Sequence, residues 1–490
     1  MTPATVRRPN VLVVMSDQQQ AATVDPNGPC NTPQLDRLAA RGARFTRCYT
    51  PSPVCSPARA SFMTGLLPHQ HGMVDVEHAV PAYRASLVDG VPMWSQRLMA
   101  AGYRLGYYGK WHLERSQDLG QFGFSRSAAY QAGPGPDYFA HRERLGLADR
   151  PVVAEPSRIV SQPGYRDLLL YGVTEEPVES TLEHYTVSHA LEFLDEACAG
   201  SEPWALMVST KAPHEPYVVP RPYFDRYDPD QLELPASFDD DLADRPAIYR
   251  RQQSVWSDLS TGDFRTATAC YYAACSLVDD QVGRLLDRIE SAGQLDNTIV
   301  VYTSDHGDLM GAHRLLLKGV PAFEEVYRVP LVVSWPAAVE GGQVIDDLVQ
   351  SHDVAETLAQ LSGTGLGGHA VDLLPRLTGA GGPPRTTAVA ELHGQRFSYT
   401  QRVIWENGFK YVFNAFDFDE LYDLTADPTE QVNLAGDPVY ADVLRRLTGR
   451  LWEVAYDTED FTLTGAQDGT YRYLAVGPQR PGQAELRGGR

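Results

Sequence analysis

Short apolar runs rich in β-branched residues alternate with amphipathic helical segments along most of the chain. The run NVLVVM (10–15) opens the pattern, and WALMVST (204–210), NTIVVYTS (297–304) and RVPLVVSW (328–335) repeat it. Runs of this kind are typical of strands that are buried on both faces of a parallel sheet. Helical patterns such as STLEHYTVSHALEFLDEA and SLVDDQVGRLLDRIESAG precede two of them. The repeated units predict an α/β fold with a large, mostly parallel sheet flanked by helices.

Two long segments interrupt this alternation, and the last hundred or so residues change its character. Residues 113–178 are rich in Gly, Pro and aromatic side chains, and residues 216–262 carry the acidic stretch SFDDDLADRP. Both are longer than ordinary connections, so we expect insertions near a functional site. From residue 384 the pattern resembles short antiparallel strands followed by one amphipathic helix. The sequence predicts a large α/β domain over 1–383 and a small C-terminal α+β subdomain with a tail over 384–490.

The net charge limits the kinds of partner that the sequence predicts, and the cysteine content indicates the redox compartment. The chain has 490 residues, and its 63 acidic side chains outnumber its 42 lysines and arginines, which gives a net charge of −21. A charge of this size and sign disfavours nucleic acid and anionic membranes as partners. Six cysteines without a C-x-x-C pair predict free thiols in a reducing compartment, and they exclude a dense disulfide framework.

The N-terminal segment does not resemble an export signal. Its apolar run covers only residues 11–15, whereas a signal peptide needs roughly 7–15 apolar residues. No run approaches the roughly 20 apolar residues that span a membrane. We therefore expect a cytoplasmic protein without a membrane partner. The tail over 464–490 offers a surface for a second copy, which leaves a homo-oligomer open as an alternative to a monomer.

Polar stretches with metal-binding or anion-binding side chains follow four predicted strands, which are 10–15, 204–210, 298–303 and a further strand over 103–108. The stretches are SDQ (16–18), GKWH (109–112), KAPH (211–214) and SDHG (304–307). In open α/β sheets, ligands bind beyond the carboxyl ends of the strands. We therefore expect the four stretches to meet at one edge of the sheet.

The first candidate group comes from two near copies, VLVVMSDQ and IVVYTSDH. An aspartate after a strand is most often a turn or capping residue, and this is the simplest interpretation of Asp17 or Asp305 alone. Taken together, Asp17, Gln18, Asp305 and His306 form a candidate site for a divalent cation. The oxygen atoms favour Ca²⁺ or Mg²⁺, and the imidazole also suits Mn²⁺.

The second candidate group contains the lysines and histidines that follow or face the strand ends, namely Lys110, His112, Lys211, His214 and Lys318. A single lysine or histidine is usually a solvated or structural residue. Five of them would supply the local positive potential that so acidic a chain needs in order to bind an anion. Lys211 is the weakest member, because it can also point to solvent.

The stretch CSPARASFMTG (55–65) forms the third candidate group. Pro57 suits the first position of a helix, and a helix N-terminus favours an anion. Cys55 would then lie at the start of that helix. It is either an inert, half-buried thiol or part of an anion-binding or nucleophilic site.

The same stretch carries a family signature. Residues 55–60 (CSPARA) and 64–65 (TG) match the C-x-P-S/A-R pattern of the type I sulfatases, which belong to the alkaline phosphatase superfamily. The segments NVLVVMSDQ, GYYGKWH, KAPHEPY and LVDDQVGRLLDRIESAGQLDNTIVVYTSDHGDLMGAHRLLLKG extend the resemblance over most of the chain, and ELYDLTADPTEQVNL supports it. The resemblance implies an alkaline-phosphatase-like fold with residues 1–383 as the catalytic domain.

The resemblance implies that a formylglycine-generating enzyme reads Pro57 and Arg59 and oxidises Cys55 to Cα-formylglycine. One hydroxyl of the hydrated aldehyde would attack the sulfur of a small-molecule sulfate ester, and the other would later expel sulfate and restore the aldehyde. Arg59 would also help to hold the aldehyde side chain. The cation would be Ca²⁺, with Mg²⁺ and Mn²⁺ as alternatives. Its implied ligands are Asp17, Gln18, modified Cys55, Asp305 and His306.

The resemblance also gives roles to four members of the second group. Lys110 and Lys318 would bind the sulfate oxygens and stabilise charge in the transition state. His214 would be the general acid for the leaving alcohol. His112 would accept the proton whose loss releases sulfate.

The implied metal ligands depart from the common family pattern. Many members have Asp-Asp and Asp-Asn where this chain has Asp17-Gln18 and Asp305-His306, and both variants also occur in phosphonate monoester hydrolases and choline-sulfatase-like relatives. The leading prediction is a sulfatase, which Lys110 favours, and the alternative is a phosphonate monoester hydrolase or phosphodiesterase. A third interpretation is a non-catalytic anion-binding protein in which Cys55 stays a thiol. Aryl, sugar and alkyl leaving groups all remain open.

Overall fold

The computed structural model describes residues 8–116, 118–162, 164, 166–382, 384–395, 397–465 and 474–477. These residues contain fifteen strands and fourteen α-helices. The strands are β1 (Asn10–Asp17), β2 (Gly42–Tyr49), β3 (Arg104–Lys110), β4 (Arg126–Tyr130), β5 (Val153–Val160), β6 (Leu168–Thr174), β7 (Trp204–Pro213), β8 (Tyr217–Pro220), β9 (Thr298–Ser304), β10 (Leu331–Ser334), β11 (Gln343–Gln350), β12 (Thr387–Gly394), β13 (Ser398–Glu406), β14 (Phe409–Asn414) and β15 (Glu420–Asp423). The helices are α1 (Pro33–Ala40), α2 (Cys55–Thr64), α3 (Pro68–His71), α4 (Trp94–Ala100), α5 (Pro136–Arg144), α6 (Leu182–Ala199), α7 (Arg221–Phe224), α8 (Ala247–Gln253), α9 (Thr261–Ser291), α10 (Glu324–Tyr327), α11 (Asp353–Gln360), α12 (Leu374–Leu377), α13 (Ala441–Asp457) and α14 (Phe461–Thr464).

An eight-stranded sheet in the order β11-β2-β10-β9-β1-β7-β3-β4 lies at the centre of the molecule. Neighbouring strands are parallel except at β10, which runs antiparallel to both β9 and β2. Parallel neighbours need a long crossover, usually a helix, and the segment between β9 and β10 contains only two short helical turns, Ala312–Arg314 and α10. The predicted α/β fold with a mostly parallel sheet is confirmed, and β2 and β11 are strands that the sequence patterns did not predict.

Alternate residues of β1 face two different helical layers. Leu12 and Val14 pack in one core with side chains of α6 and α9. Val11, Val13 and Met15 pack in another core with side chains of α4 and α11. All five are at most 2% exposed, and burial of each such side chain is worth about 1.5–3 kcal/mol. Because both faces of the sheet are covered, the strand is a continuous apolar run, and polar residues follow only at its end.

The two predicted insertions build a small second sheet beside the central one. The first insertion contributes β4 to the edge of the central sheet and β5 and β6 to a three-stranded sheet, which β8 of the second insertion completes. Tyr217 in β8 donates its hydroxyl proton to Asp308 Oδ2 at 2.6 Å. The three-stranded sheet is therefore tied to the segment that follows β9.

The C-terminal strands β12–β15 form a four-stranded antiparallel sheet, as predicted. One face shares a core with the central region, where Ala388, Ala390 and Trp405 pack with Tyr49 and Tyr327. The ring centroids of Tyr49 and Trp405 are 4.5 Å apart. The division into domains at 383/384 stays a prediction, and residue 383 and most of the predicted tail lie outside the described residues.

A buried ionic cluster joins α3 to the C-terminal sheet, and we call it the interface cluster. His69 Nδ1 lies 2.5 Å from Glu391 Oε1, and His393 Nε2 lies 2.8 Å from Glu391 Oε2. Arg402 Nε donates to Asp460 Oδ2 at 2.8 Å. His69 Nε2 also reaches the carbonyl oxygen of Thr458 at 2.9 Å. The members of the interface cluster are His69, Glu391, His393, Arg402 and Asp460.

The six cysteines are all free thiols. Among the described residues, no helix combines the length and the apolar character needed to cross a lipid bilayer. The polar residues at the strand ends of the central sheet form the candidate site.

Candidate active site

The register of β1 and β9 places the two Ser-Asp motifs side by side. Ser16 is the partner of Ser304 in the parallel ladder. Gln18 N donates to Asp305 Oδ1 at 3.0 Å, and φ of Gln18 is +69°, in the left-handed region that side chains rarely adopt. Such an outlier is typical of functional sites. Asp17 and Asp305 are both buried, with 0% and 1% exposure, so the expected meeting of the two strand ends is observed.

Cys55 is the first residue of α2, and its thiol faces the two strand ends. Cys55 Sγ lies 3.1 Å from His306 Nε2 and 3.8 Å from Asp17 Oδ1. The helix begins at Cys55, so Pro57 occupies the third helical position. The sequence had suggested the first position, and that prediction is wrong. Proline is tolerated at the third position because the first four N–H groups of a helix have no intrahelical acceptor. All residues of α2 are buried, so the thiol is fully buried and not half-buried.

Four of the predicted metal ligands converge in one place. Asp17, Cys55, Asp305 and His306 each offer a ligand atom, and these atoms all lie within 4.8 Å of one another. His306 Nε2 is 3.7 Å from Asp17 Oδ1 and 3.8 Å from Asp305 Oδ1. We call these four residues, together with Gln18, the site cluster.

The orientation of the Gln18 amide is fixed by two carboxylates. Gln18 Nε2 donates to Glu215 Oε2 at 2.8 Å and to Asp308 Oδ2 at 2.5 Å. Only the nitrogen of an amide can donate to two carboxylates, so Oε1 is the atom on the other side, where it accepts a proton from Lys318 Nζ. An oxygen is therefore the atom that Gln18 presents to a cation beside Lys318.

Arg59 lies one helical turn after Cys55 and ties the strand ends together. Its Nε donates to Asp305 Oδ2 at 2.8 Å, and its Nη2 lies 3.5 Å from Asp17 Oδ2. Its Nη1 donates to the Lys110 carbonyl oxygen and to Ser209 Oγ, both at 2.8 Å. Arg59 thus connects α2 with the ends of β1, β3, β7 and β9.

The charges around Cys55 favour its thiolate. Burial alone would raise the pKa of the Cys55 thiol, but Lys110, Lys318 and His306 outweigh burial and hold that pKa well below its ordinary value. The buried Cys270 lacks such neighbours, and burial raises the pKa of its thiol. The site therefore stabilises an anion at residue 55.

Lys110 and His112 follow β3 on one side of Cys55. Lys110 is the last residue of β3, and its Nζ donates to Asp17 Oδ2. His112 has φ of +45°, and its Nε2 lies 2.9 Å from His78 Nδ1. Burial, and then the charge of Lys110, lowers the pKa of His112 to about 4. His112 is therefore neutral near pH 7.

His214 and Lys318 lie together on the other side. His214 Nδ1 donates to the Glu215 carbonyl oxygen at 2.7 Å, and His214 Nε2 lies 2.7 Å from Lys318 Nζ. Burial would raise the pKa of Glu215, but His214 and Lys318 outweigh it and lower that pKa to about 2. Burial would lower the pKa of Lys318, but Glu215 and Cys55 outweigh it and raise that pKa. An imidazole that follows β7 and a lysine from the segment between β9 and β10 thus lie next to each other at this side of the cluster.

Lys211 differs from the other members of the second group. It is half-buried near the end of β7. Burial, and then repulsion from Lys110, lowers the pKa of Lys211. Its ammonium group forms no hydrogen bond or ion pair with any part of the chain that the structure describes. Lys211 is therefore near the site without a contact that would give it a role.

Sequence reasoning missed four acidic and imidazole side chains at the site. Asp308 holds Gln18 and also accepts from the backbone N–H groups of Met310 and Leu317, at 2.8 and 3.0 Å. Its place three residues after Asp305 was the one available signal. The other three act only through neighbours brought together by folding. These residues are Glu77, His78 and Glu215.

Comparison with known proteins gives the same family over nearly the whole chain. The sulfatase family model matches residues 9–364. The choline-sulfatase of Rhizobium meliloti (strain 1021) is 32% identical over 461 residues, which cover 89% of this chain and 84% of that protein. An uncharacterized sulfatase of Escherichia coli (strain K12), YidJ, is 30% identical over 468 residues, which cover 90% and 86%.

A solved structure agrees in fold as well. The phosphonate monoester hydrolase of Agrobacterium radiobacter superposes with a TM-score of 0.78 at 25% sequence identity, over 92% of this chain and 96% of that one. The large central sheet flanked by helices and the C-terminal antiparallel sheet match this fold. The chain therefore belongs to the sulfatase family of enzymes, within the alkaline phosphatase superfamily.

Proposed function

We propose that this enzyme hydrolyses sulfate esters and uses a formylglycine formed from Cys55 as its nucleophile. The observation that carries the proposal is the charge around Cys55, where Lys110, Lys318 and His306 stabilise an anion at a fully buried residue. A sulfate ester brings a permanent negative charge, which a chain with a net charge of −21 would otherwise repel. Membership of the sulfatase family supports the same reaction.

The site cluster has the donor set that suits one divalent cation. Two carboxylates and a residue that favours its anionic form lie within 4.8 Å of one another, together with an imidazole, and burial of like charges is costly unless a cation compensates them. The amide oxygen of Gln18, which accepts from Lys318 Nζ, would be a further donor. When bound, the ion would polarise the sulfate oxygens and lower the pKa of the attacking hydroxyl. The oxygen-rich set favours Ca²⁺ over Mg²⁺ and Mn²⁺.

The lysines would bind the sulfate group, and the two histidines would transfer protons. Lys110 and Lys318 approach the site cluster from the ends of different elements and would bind sulfate oxygens. The bond from His214 Nδ1 to the Glu215 carbonyl turns His214 Nε2 toward Lys318, and in the doubly protonated imidazolium form this nitrogen would donate its proton to the leaving oxygen. His112 is neutral because its pKa is about 4, so it would be free to accept a proton during sulfate release.

Hydrolysis of phosphonate monoesters or phosphodiesters is the second candidate. It is favoured by the similarity to the phosphonate monoester hydrolase, with a TM-score of 0.78, and by the Gln18 and His306 variants among the implied ligands. Lys110 beside Asp17 favours sulfate, as the sequence suggested. A formylglycine-generating enzyme is the protein partner that either activity requires. Cytoplasmic location and a homo-oligomer stay predictions.

The test is a substrate panel on protein co-expressed with a formylglycine-generating enzyme. The mass of the peptide that carries residue 55 first reports whether the cysteine has become an aldehyde or its hydrate. The panel then compares kcat/KM for aryl, sugar, alkyl and choline sulfates with kcat/KM for phosphodiesters and phosphonate monoesters. The proposal expects an aldehyde and the highest kcat/KM on a sulfate ester. A higher kcat/KM on a phosphorus ester would contradict it in favour of the second candidate.

Cys270→Ala is the matched control for Cys55→Ala. Both residues are buried free thiols, but Cys270 packs in α9 away from the site cluster. The control should keep its activity, whereas Cys55→Ala should lose it. An unmodified, fully active Cys55 protein would refute the formylglycine mechanism, and an unmodified, inactive one would favour a non-catalytic anion-binding protein.

A further inference from the structure

A group of three potential metal ligands lies beside the site cluster and has no part in the proposed cation site. Glu77, His78 and His112 each offer one ligand atom, and these atoms lie within 4.8 Å of one another. His112 and Glu77 are buried, with side chains that are each 4% exposed, whereas the His78 side chain is 43% exposed. The group is therefore anchored inside the protein and open to solvent on one side.

The spacing of the three ligand atoms matches a tetrahedral transition-metal site. His112 Nε2 is 2.9 Å from His78 Nδ1, His78 Nδ1 is 3.4 Å from Glu77 Oε1, and Glu77 Oε1 is 3.8 Å from His112 Nε2. Two ligands bound to Zn²⁺ at about 2.0–2.1 Å lie about 3.3–3.4 Å apart across a tetrahedral angle. The observed distances bracket this value, and a metal at the centre needs only small shifts of the side chains.

The buried carboxylate of Glu77 provides the second observation. Glu77 Oε1 is buried and accepts no hydrogen bond from any residue in the described ranges. Its other oxygen is 3.7 Å from Arg115 Nε, and the same Arg115 nitrogen donates instead to the Glu77 carbonyl oxygen at 2.9 Å. A buried carboxylate oxygen without a partner costs free energy of folding. A cation between Glu77 and the two imidazoles would satisfy it.

We propose that Glu77, His78 and His112 form a second metal site, which binds Zn²⁺ or a similar transition metal with a solvent molecule as fourth ligand. Two imidazoles and one carboxylate with an open fourth position form a common zinc ligand set. The donor chemistry also separates the two sites, because the oxygen-rich site cluster suits Ca²⁺ or Mg²⁺ and the two-histidine site suits a softer ion.

Occupation of this second site would inhibit the enzyme. A metal on His112 Nε2 leaves the ring proton on Nδ1, so the imidazole keeps no lone pair with which to accept another proton. This step rests on the proposed function, in which His112 accepts the proton that leads to sulfate release. Loss of such catalysis is typically worth about 10²–10⁴-fold in rate. Zn²⁺ would therefore act as a reversible inhibitor of turnover.

Metal binding is measured first, without recourse to activity. Cys55→Ala protein is saturated with Ca²⁺ and titrated with Zn²⁺, and crystals soaked in Zn²⁺ are examined for anomalous scattering at the zinc edge. The proposal expects one zinc equivalent and an anomalous peak between His112 Nε2, His78 Nδ1 and Glu77 Oε1. The Cys55→Ala background removes a thiol that would itself bind zinc.

Zinc affinity is then compared between variants to identify the ligands of the ion. Glu77→Gln and His78→Ala should each weaken zinc binding at least about 100-fold, since even the loss of an outer-shell partner costs about 10–100-fold. His189→Ala is the matched control, because His189 is an exposed histidine beside Glu192 on α6 and should leave binding unchanged. Zinc that binds equally well to His78→Ala, or a peak only at the site cluster, would overturn the proposal.

Inhibition is measured on the formylglycine form, with each variant compared with its own zinc-free rate. Zn²⁺ should lower kcat about 10²–10⁴-fold, a chelator should restore it, and His78→Ala should resist inhibition. Zinc bound at this site without any loss of rate would support the site and would instead contradict the role given to His112. The two failures are therefore distinguishable.

Discussion

The site cluster and the interface cluster are both buried and both rich in charge, but their charges are satisfied in different ways. In the interface cluster, Glu391 has hydrogen-bond partners in His69 and His393, and Arg402 pairs with Asp460. In the site cluster, ligand atoms of two aspartates and a cysteine lie within 4.8 Å of one another. The charges of the interface cluster pair with one another. The carboxylates of the site cluster pair with Arg59 and Lys110, and under the proposed function they also hold a divalent cation.

The comparison shows that buried charge serves two purposes in this fold. Paired charges such as His69 and Glu391 hold the C-terminal sheet against α3. Crowded charges of one sign, such as Asp17, Asp305 and Cys55, are costly to keep together, and they are typical of places that bind ligands. Variants at the site cluster should therefore change activity, whereas variants at the interface cluster should change stability.

The largest effect is expected for Cys55→Ala. Removal of the proposed nucleophile should lower kcat/KM for a sulfate ester by at least several orders of magnitude, because no other group replaces covalent catalysis. The midpoint of thermal unfolding should not fall below that of the unmodified Cys55 protein, since the substitution removes a thiol that lies close to the carboxylates of Asp17 and Asp305. Rate measurements and thermal unfolding of the same preparation check both parts, and full activity of Cys55→Ala would end this mechanism.

His112→Ala and His214→Ala are the next largest and should be distinguishable by substrate. His214→Ala should lower kcat/KM about 10²–10⁴-fold on alkyl or sugar sulfates but little on nitrophenyl sulfate, because a good leaving group needs no general acid. His112→Ala should slow a step shared by all substrates, so a rapid burst of alcohol release should precede slow turnover. Rates against leaving-group pKa and pre-steady-state traces measure this. Equal losses on every substrate without a burst would show that the roles are wrong.

Removal of the divalent cation should lower the free energy of unfolding by a modest amount. Saturation at about 100 times the dissociation constant stabilises the folded state by about 2.7 kcal/mol, so chelation should lower the unfolding midpoint and Ca²⁺ should restore it. Asp305→Asn should abolish this response, because Asp305 is a proposed ligand. Glu391→Gln is the control in the interface cluster and should keep the full response to Ca²⁺. A Ca²⁺ response that survives in Asp305→Asn would place the ion elsewhere.

His69→Gln should lower the stability by a similar amount, and this loss should depend on pH. Burial would lower the pKa of His69, but Glu391 outweighs it and raises that pKa from 6.5 to about 9. The stabilisation is therefore fully present below about pH 6.5 and is lost as the pH rises through about 9. His69→Gln should cost about 1.5–3 kcal/mol at pH 6 and less at pH 9.5. Denaturant unfolding at both values measures the difference.

His189→Gln, at the exposed pair with Glu192, is the control for His69→Gln and should change stability little at either pH. Activity per folded molecule should be unchanged in both variants. A loss of stability in His69→Gln that is equal at pH 6 and pH 9.5 would show that the charge of His69 does not contribute.

The strands that position the site were predictable because they are buried on both faces. Such strands are continuous apolar runs, and this made β1 and β9 and the polar residues after them visible in the sequence. The strands β2 and β11 were missed because GARFTRCY and QVIDDLVQ contain charged residues and are therefore not continuous apolar runs. Arg44 of β2 is buried inside the protein, whereas β11 is an edge strand with Asp346 exposed to solvent. Asp17, Asp305 and Cys55 were found by motif and position.

Residues whose roles depend on long-range packing could not be predicted. Glu215 acts on Gln18 across 197 residues of sequence and Asp308 across 290, and no local pattern encodes such contacts. His78 is 34 residues from His112 and meets it only in the folded chain. Pro57 misled the prediction of the helix start because proline is tolerated throughout the first helical turn.

The complete burial of α2 limits the time during which another protein can reach Cys55 in biosynthesis. Cys55 is 2% exposed in the folded protein, so under the proposed function the oxidising enzyme would have to reach it while the chain is still open. The roughly 430 residues that follow Cys55 take roughly 20–90 s to translate at about 5–20 residues per second. The C-terminal sheet, which closes the shared core around Tyr49 and Trp405, is synthesised more than 300 residues after Cys55. The order of synthesis would thus give a formylglycine-generating enzyme time to act on Cys55. Conditions that speed folding relative to this modification should lower the active fraction of the purified protein.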